Sequence, residues 1–184
     1  MSLLASAAFR SATTAALVSL LHASAWGAHG AHPIPTDASC AVSVRFSPNG
    51  GAEAAVTEAL RHAHVRVRAA LYGLTNPAIE RALIDLARAG VQVSLKADRG
   101  RSAAREQAAV LGRLQAAGVS VQTGSRWLNH NKFAVVDSRW VVTGSFNWTT
   151  NAERRNHENL LILDCPDLAA RFEAEWESIA PSPR

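Results

Sequence analysis

Apolar positions along the chain follow two alternating rhythms, one of period two and one near 3.6, which predict strands and helices in turn. AVSVRFS (41–47) alternates as a strand does, PNGG follows as a turn, and AEAAVTEALRHA (52–63) has helical spacing. VRVRAALYGL (65–74) predicts a strand with Arg66 and Arg68 on one face. NPAIERALIDLARAG is a helix with marked ends: Asn76 to cap it, Pro77 in its first turn and Gly90 to close it. VQVSLKA predicts a strand, DRGRSA a polar loop, AAREQAAVLGRLQAAG a helix closed by Gly118, and VSVQTG another strand. Phe133–Val136 and Trp140–Thr143 are short apolar runs that read as two further strands, and HENLLILD as the next. CPDLAARFEAEWESIA is a final amphipathic helix, with Leu168, Phe172 and Trp176 at i, i+4 and i+8.

Strands alternating with helices imply an α/β fold, a mixed and mostly parallel sheet flanked by helices on both faces. With no internal repeat, residues 41–180 read as a single domain.

The N-terminal residues follow a different pattern. Arg10 is the only charge before Asp37, AALVSLL forms a short apolar core, and Ala23–Ala25 gives a small-x-small cleavage pattern. Residues 1–28 are expected to be a signal peptide and cleavage region, and residues 29–40 a flexible lead-in. The apolar core is too short to span a bilayer comfortably, so no stable membrane span is expected after cleavage. The expected location is periplasmic or secreted. Export permits a disulfide between Cys40 and Cys165, the only two cysteines, which would tie the first strand to the last helix; the alternative is two separate buried thiols.

Composition adds a charge asymmetry. The 184 residues are 48% hydrophobic and 18% charged, proportions of a globular chain, with a formal net charge of +4. Between Ala59 and Lys132 twelve Lys/Arg face four acids, while Glu173, Glu175 and Glu177 make the C-terminal stretch acidic. The basic excess is either a solvated surface or a face that meets a polyanion. Nearly all of it is arginine, whose planar guanidinium suits phosphate.

The chemistry concentrates in NHNKFAVVDSRWVVTGSFNWTTN (129–151). His130 and Lys132 are two apart, as are Ser145 and Asn147, so each pair shares a face on extended chain. If the two apolar runs pair, both polar pairs converge on one sheet edge. Histidine is a nucleophile or proton shuttle near neutral pH. A lysine and an asparagine amide can hold phosphate oxygens and stabilise charge on them. The set is a poor hard-cation cluster, so no metal or other cofactor is expected, and metal-independent phosphoryl transfer through a phosphohistidine is. Asp137 fits either an ordinary turn or the site.

At these residues the sequence resembles the phospholipase D superfamily. HNKFAVVD fits its H-x-K-x4-D motif, GSFNW its G-S-x-N element, and NHENLLIL follows downstream. The likeness is greatest to the small single-motif bacterial endonucleases of that superfamily, which implies a phospholipase D/nuclease-like α-β-α sandwich. The resemblance makes His130 the nucleophile, Lys132 and Asn147 the phosphate ligands, Ser145 their support and Glu158 the acid that orients the imidazole. Asp137 matches the motif acid in a structural, bracing role. Arg99, Arg101 and Trp127 are candidate substrate contacts, Trp127 or Trp148 by stacking on bases. Because such enzymes use two His-Lys motifs per site and this chain has one, the resemblance implies a homodimer. The expected activity is a non-specific endonuclease on DNA or RNA. The alternatives are a phospholipase D acting on phospholipid head groups and a catalytically inactive polyanion-binding module.

Overall fold

A computed structural model describes residues 40–181, all within the compact unit Ile34–Arg184. The expected signal and most of the lead-in lie outside the described residues. The elements are β1 (Ala41–Ser47), α1 (Ala52–Arg61), β2 (Arg66–Leu71), α2 (Pro77–Arg88), β3 (Gln92–Ala97), α3 (Arg99–Ser102) and α4 (Arg105–Ala116). Then come β4 (Ser120–Thr123), β5 (Lys132–Val136), β6 (Trp140–Gly144), α5 (Thr150–Arg155), β7 (Glu158–Asp164) and α6 (Pro166–Ser178).

The seven strands form one mixed sheet in the order β1-β7-β6-β5-β2-β3-β4. Parallel pairing is confined to β2–β3 and β3–β4. The expected predominance of parallel strands therefore gives way to four antiparallel pairings, β1–β7, β7–β6, β6–β5 and β5–β2. The physical reason is the short turn at Asp137–Arg139, which folds β5 and β6 into a hairpin with no room for a crossover helix.

Helices cover both faces, as the pattern predicts. On one face Val56 and Leu60 of α1, Ile79 and Leu83 of α2, and Leu111 and Leu114 of α4 pack over Val67, Leu71 and Ala134. Burying such side chains is worth about 1.5–3 kcal/mol each. On the other face α6 lies alone, its Phe172 and Trp176 against Ala70, Phe133, Val135 and Val141. Trp176 Nε1 donates to the Ala69 carbonyl at 3.0 Å.

That helix also corrects the basic-face reading at Arg66 and Arg68. Both face α6, where Glu173 and Glu177 neutralise them at 2.9 Å each. DRGRSA holds a short helix instead of a loop, because the Asp98 carboxylate accepts from the Arg101 backbone N–H at 2.9 Å and caps α3. Thr149 caps α5 in the same way, through Ala152 N–H at 3.1 Å. Cys40 and Cys165 are bridged, linking the start of β1 to the start of α6.

Candidate active site

The topology brings one end of every strand to a common edge. β2 and β3 run parallel and end at Leu71 and Ala97. Antiparallel pairing sets the start of β5 beside the end of β2, with Lys132 opposite Leu71. The same rule sets the end of β6 beside the start of β7, with Gly144 opposite Leu160, and Glu158 opposite Ser47 of β1. His130, Lys132, Ser145, Asn147 and Glu158 therefore lie together at the carboxyl end of the parallel strands, where α/β sheets hold ligands.

Lys132 is 8% exposed, and its Nζ donates to the His130 carbonyl at 2.6 Å and lies 3.1 Å from His130 Nδ1. Burial pushes the Lys132 ammonium below its ordinary 10.5, while the Glu158 carboxylate opposes the shift. The His130 ring is exposed and tilts against Tyr72 at 4.7 Å between centroids. Ser145 Oγ donates to Glu158 Oε2 at 2.5 Å, and Asn156 Nδ2 donates to Glu158 Oε1 at 2.9 Å. Glu158 is thus held by Ser145 and Asn156. The contact expected between Glu158 and the imidazole is replaced by Lys132, which occupies Nδ1.

Asn147 stands beside Gly73, where an added Cβ would come within 3.2 Å of its Oδ1. That Oδ1 is buried without a hydrogen-bond partner. Gly144 has φ 145°, and a Cβ there would fall 2.3 Å from the Asn159 carbonyl oxygen, so the turn into GSFN requires glycine.

The structure separates Asp137 from this group, which corrects its place among catalytic residues. It lies at the far end of β5, five residues from Lys132, about 16 Å along a strand. Its carboxylate accepts from the backbone N–H groups of His64, Val65 and Arg66 at 2.7, 2.9 and 2.8 Å. Burial pushes that carboxyl up, but the three backbone bonds and His64 outweigh it and hold the group below its ordinary 3.8. Asp137 braces the hairpin, the structural role its turn position allowed.

Arg99 and Arg101 lie on α3, directly after β3, at the same end of the sheet as His130. Trp127 is 74% exposed three residues before His130, with Arg126 stacked on its ring at 4.9 Å. Trp148 is fully buried, so it cannot stack on a base. Among the described residues no group of three or more His, Cys, Asp or Glu could hold a metal ion, and no helix is long and apolar enough to cross a membrane.

Residues 56–180 match the family described as cardiolipin synthase, PLD-like domain. The chain belongs to the phospholipase D superfamily. Its relatives place it among the phosphodiesterases of that superfamily: it is 33% identical over 138 residues to a phospholipase D of Rickettsia bellii (strain RML369-C), covering 74% of this chain and 68% of that one. It is 37% identical over 110 residues to the mitochondrial cardiolipin hydrolase of Xenopus laevis, 59% of this chain and 51% of that one. The solved phospholipase D family member Nuc from Salmonella typhimurium superposes with a TM-score of 0.74 at 32% identity, covering 77% of this chain and 94% of Nuc.

Sequence reasoning missed the residues that hold this superfamily site in place. Buried Asn129 donates to the Lys96 carbonyl at 2.8 Å, and its backbone N–H donates to Asp98 Oδ2 at 3.2 Å, which fastens the approach to His130 onto the end of β3. Buried Gln107 bridges the Tyr72 carbonyl and the Leu74 N–H, which fixes Gly73 between them. Both are polar residues beside or within apolar patterns, and only their tertiary partners reveal their use.

Proposed function

We propose that the chain is an endonuclease that cleaves DNA or RNA without a metal ion, through a phosphohistidine on His130 and as a homodimer. The observation that carries the chemistry is the buried Lys132 ammonium beside His130, with Asn147 at the same sheet end. A ring nitrogen of His130 attacks phosphorus as the bond to one ester oxygen breaks, and Lys132 and Asn147 hold the non-bridging oxygens. His130 of a second protomer protonates the departing alcohol and then deprotonates the water that cleaves the phosphorus–nitrogen bond. With one His-Lys pair per chain, this reading requires two copies. The similarity to Nuc, which covers 94% of that enzyme, supports the nuclease class. The Cys40–Cys165 bridge and the N-terminal pattern support export to an oxidising compartment.

A second reading, hydrolysis of phospholipid head groups, draws on the names of the relatives and on three exposed apolar side chains at the site end of the sheet. These are Phe46, Trp127 and Leu128, at 56%, 74% and 68% exposure. The deciding experiment offers plasmid DNA and phosphatidylcholine vesicles to the protein in excess EDTA, with His130→Asn as control. EDTA-resistant DNA cleavage that the variant lacks is the expected result. Head-group release without DNA cleavage overturns the nuclease reading, and activity abolished by EDTA overturns the chemistry.

A further inference from the structure

Asn147 belongs to two places at once. It stands in the site and it also lines a cavity of about 430 Å³, within the roughly 300–1,000 Å³ of small-molecule sites. Arg101, Arg154 and Arg155 line the same cavity, as does Asn156, whose amide donates to Glu158. Glu106 is the one acid on its wall. No hydrophobic side chain lines it; the remaining residues are three threonines and one further asparagine.

The arginines of this cavity are set apart by gathering at one polar hollow, and like Arg45, Arg81, Arg88, Arg99, Arg105 and Arg126 they form no ion pair among the described residues. Arg61, Arg66, Arg68, Arg113 and Arg139 each meet a carboxylate, on Glu58, Glu173, Glu177, Glu80 and Asp164. Among the described residues, none of Arg101, Arg154 and Arg155 has an ion-pair partner within 4.0 Å. Three guanidiniums with no ion-pair partner against the single carboxylate of Glu106 leave this polar cavity with a net positive wall, a site for an anion supplied from outside.

We propose that this cavity binds the phosphate next to the one being cleaved, and so selects a polynucleotide over a phospholipid. The inference rests on the nuclease reading and names its substrate class. A nucleic-acid strand carries a further phosphodiester every ~3.4 Å of axis, so a chain seated on His130 and running toward α5 sets its next charge in the cavity that Asn147 lines. A phospholipid seated there would need an apolar path for its acyl chains, and this wall offers none. Arg154 and Arg155 end α5, whose Thr149 cap and Asn156 exit fix them between GSFN and Glu158. The α5 segment thereby becomes a specificity element of the site.

The test compares kcat/KM for a single-stranded dodecamer with kcat/KM for bis(p-nitrophenyl) phosphate, which carries one phosphodiester. In Arg154→Gln/Arg155→Gln the ratio of the two should fall about tenfold, mostly through KM for the dodecamer, and the slope of log KM against log salt should shrink by about 0.7, the share of one phosphate on a single strand. Arg154→Lys/Arg155→Lys should restore most of the ratio, since charge is kept. An unchanged ratio in the glutamine variant, with wild-type protein cutting the dodecamer, overturns the subsite and leaves the nuclease reading intact. Wild-type protein that hydrolyses bis(p-nitrophenyl) phosphate and cardiolipin vesicles but no oligonucleotide overturns both.

Discussion

Lys132 Nζ sits 3.1 Å from His130 Nδ1 and 2.6 Å from the carbonyl oxygen of the same residue. The lysine therefore fixes both the ring and the backbone of the proposed nucleophile.

His130→Asn removes the nucleophile from an exposed position, so it should leave folding untouched. Turnover of any phosphodiester should fall by at least about 10³-fold, with Tm within a degree or two of wild type. A variant that keeps a tenth of its activity would exclude the covalent route.

Lys132 must be charged to hold phosphate, and burial lowers its pKa from 10.5. As pH rises through that lowered value the ammonium is lost, so the basic limb of kcat/KM should fall before pH 10.5 is reached. The stability sign is opposite. The unfolded chain binds more protons across the same window, so the cost of burying this charge is relieved as pH rises. Lys132→Met should abolish the basic limb and most activity without lowering Tm; a limb that persists would belong to another group.

Asp137 holds three backbone N–H groups, so Asp137→Ala should cost stability before chemistry. The expected loss is about 2–4 kcal/mol in urea unfolding, with kcat of the folded fraction within a few-fold of wild type. Since its pKa is depressed from 3.8, the contribution is full above that pH and is lost as pH falls through the folded value. A large fall in kcat at unchanged stability would return Asp137 to the site.

Gly73→Ala places a methyl 3.1 Å from Thr149 Cγ2 and 3.2 Å from Asn147 Oδ1. Asn147 must give way by a few tenths of an ångström, and kcat should fall about tenfold with little change in Tm. Wild-type kcat in this variant would show that the amide's position is not critical.

The bridge between Cys40 and Cys165 closes a sequence separation of 125 residues. Cys40→Ser/Cys165→Ser should lose about 3–5 kcal/mol by the loop-closure argument, read as a lower urea midpoint that reductant no longer alters. Equal midpoints for the variant and the oxidised protein would refute a stabilising role.

The elements were legible because they are local. Asn76, Pro77 and Gly90 mark one helix, and the side chains that bury its apolar face come from its own periodicity. The site was legible as a list of residues, since His130, Lys132, Ser145 and Asn147 lie within one short stretch on paired strands. The sequence by itself determined the alternation of strands and helices, the superfamily and the reactive groups, all properties of near neighbours along the chain. Only the tertiary structure decided partnership. It gave Glu158 to Ser145 and Asn156, sent Asp137 to the far end of β5, and set α6 against Arg66 and Arg68. It also gathered Arg101, Arg154 and Arg155 around one cavity with no ion-pair partner. Charge in a sequence carries no record of which carboxylate will stand opposite it, because that depends on strand order and helix packing between segments a hundred residues apart.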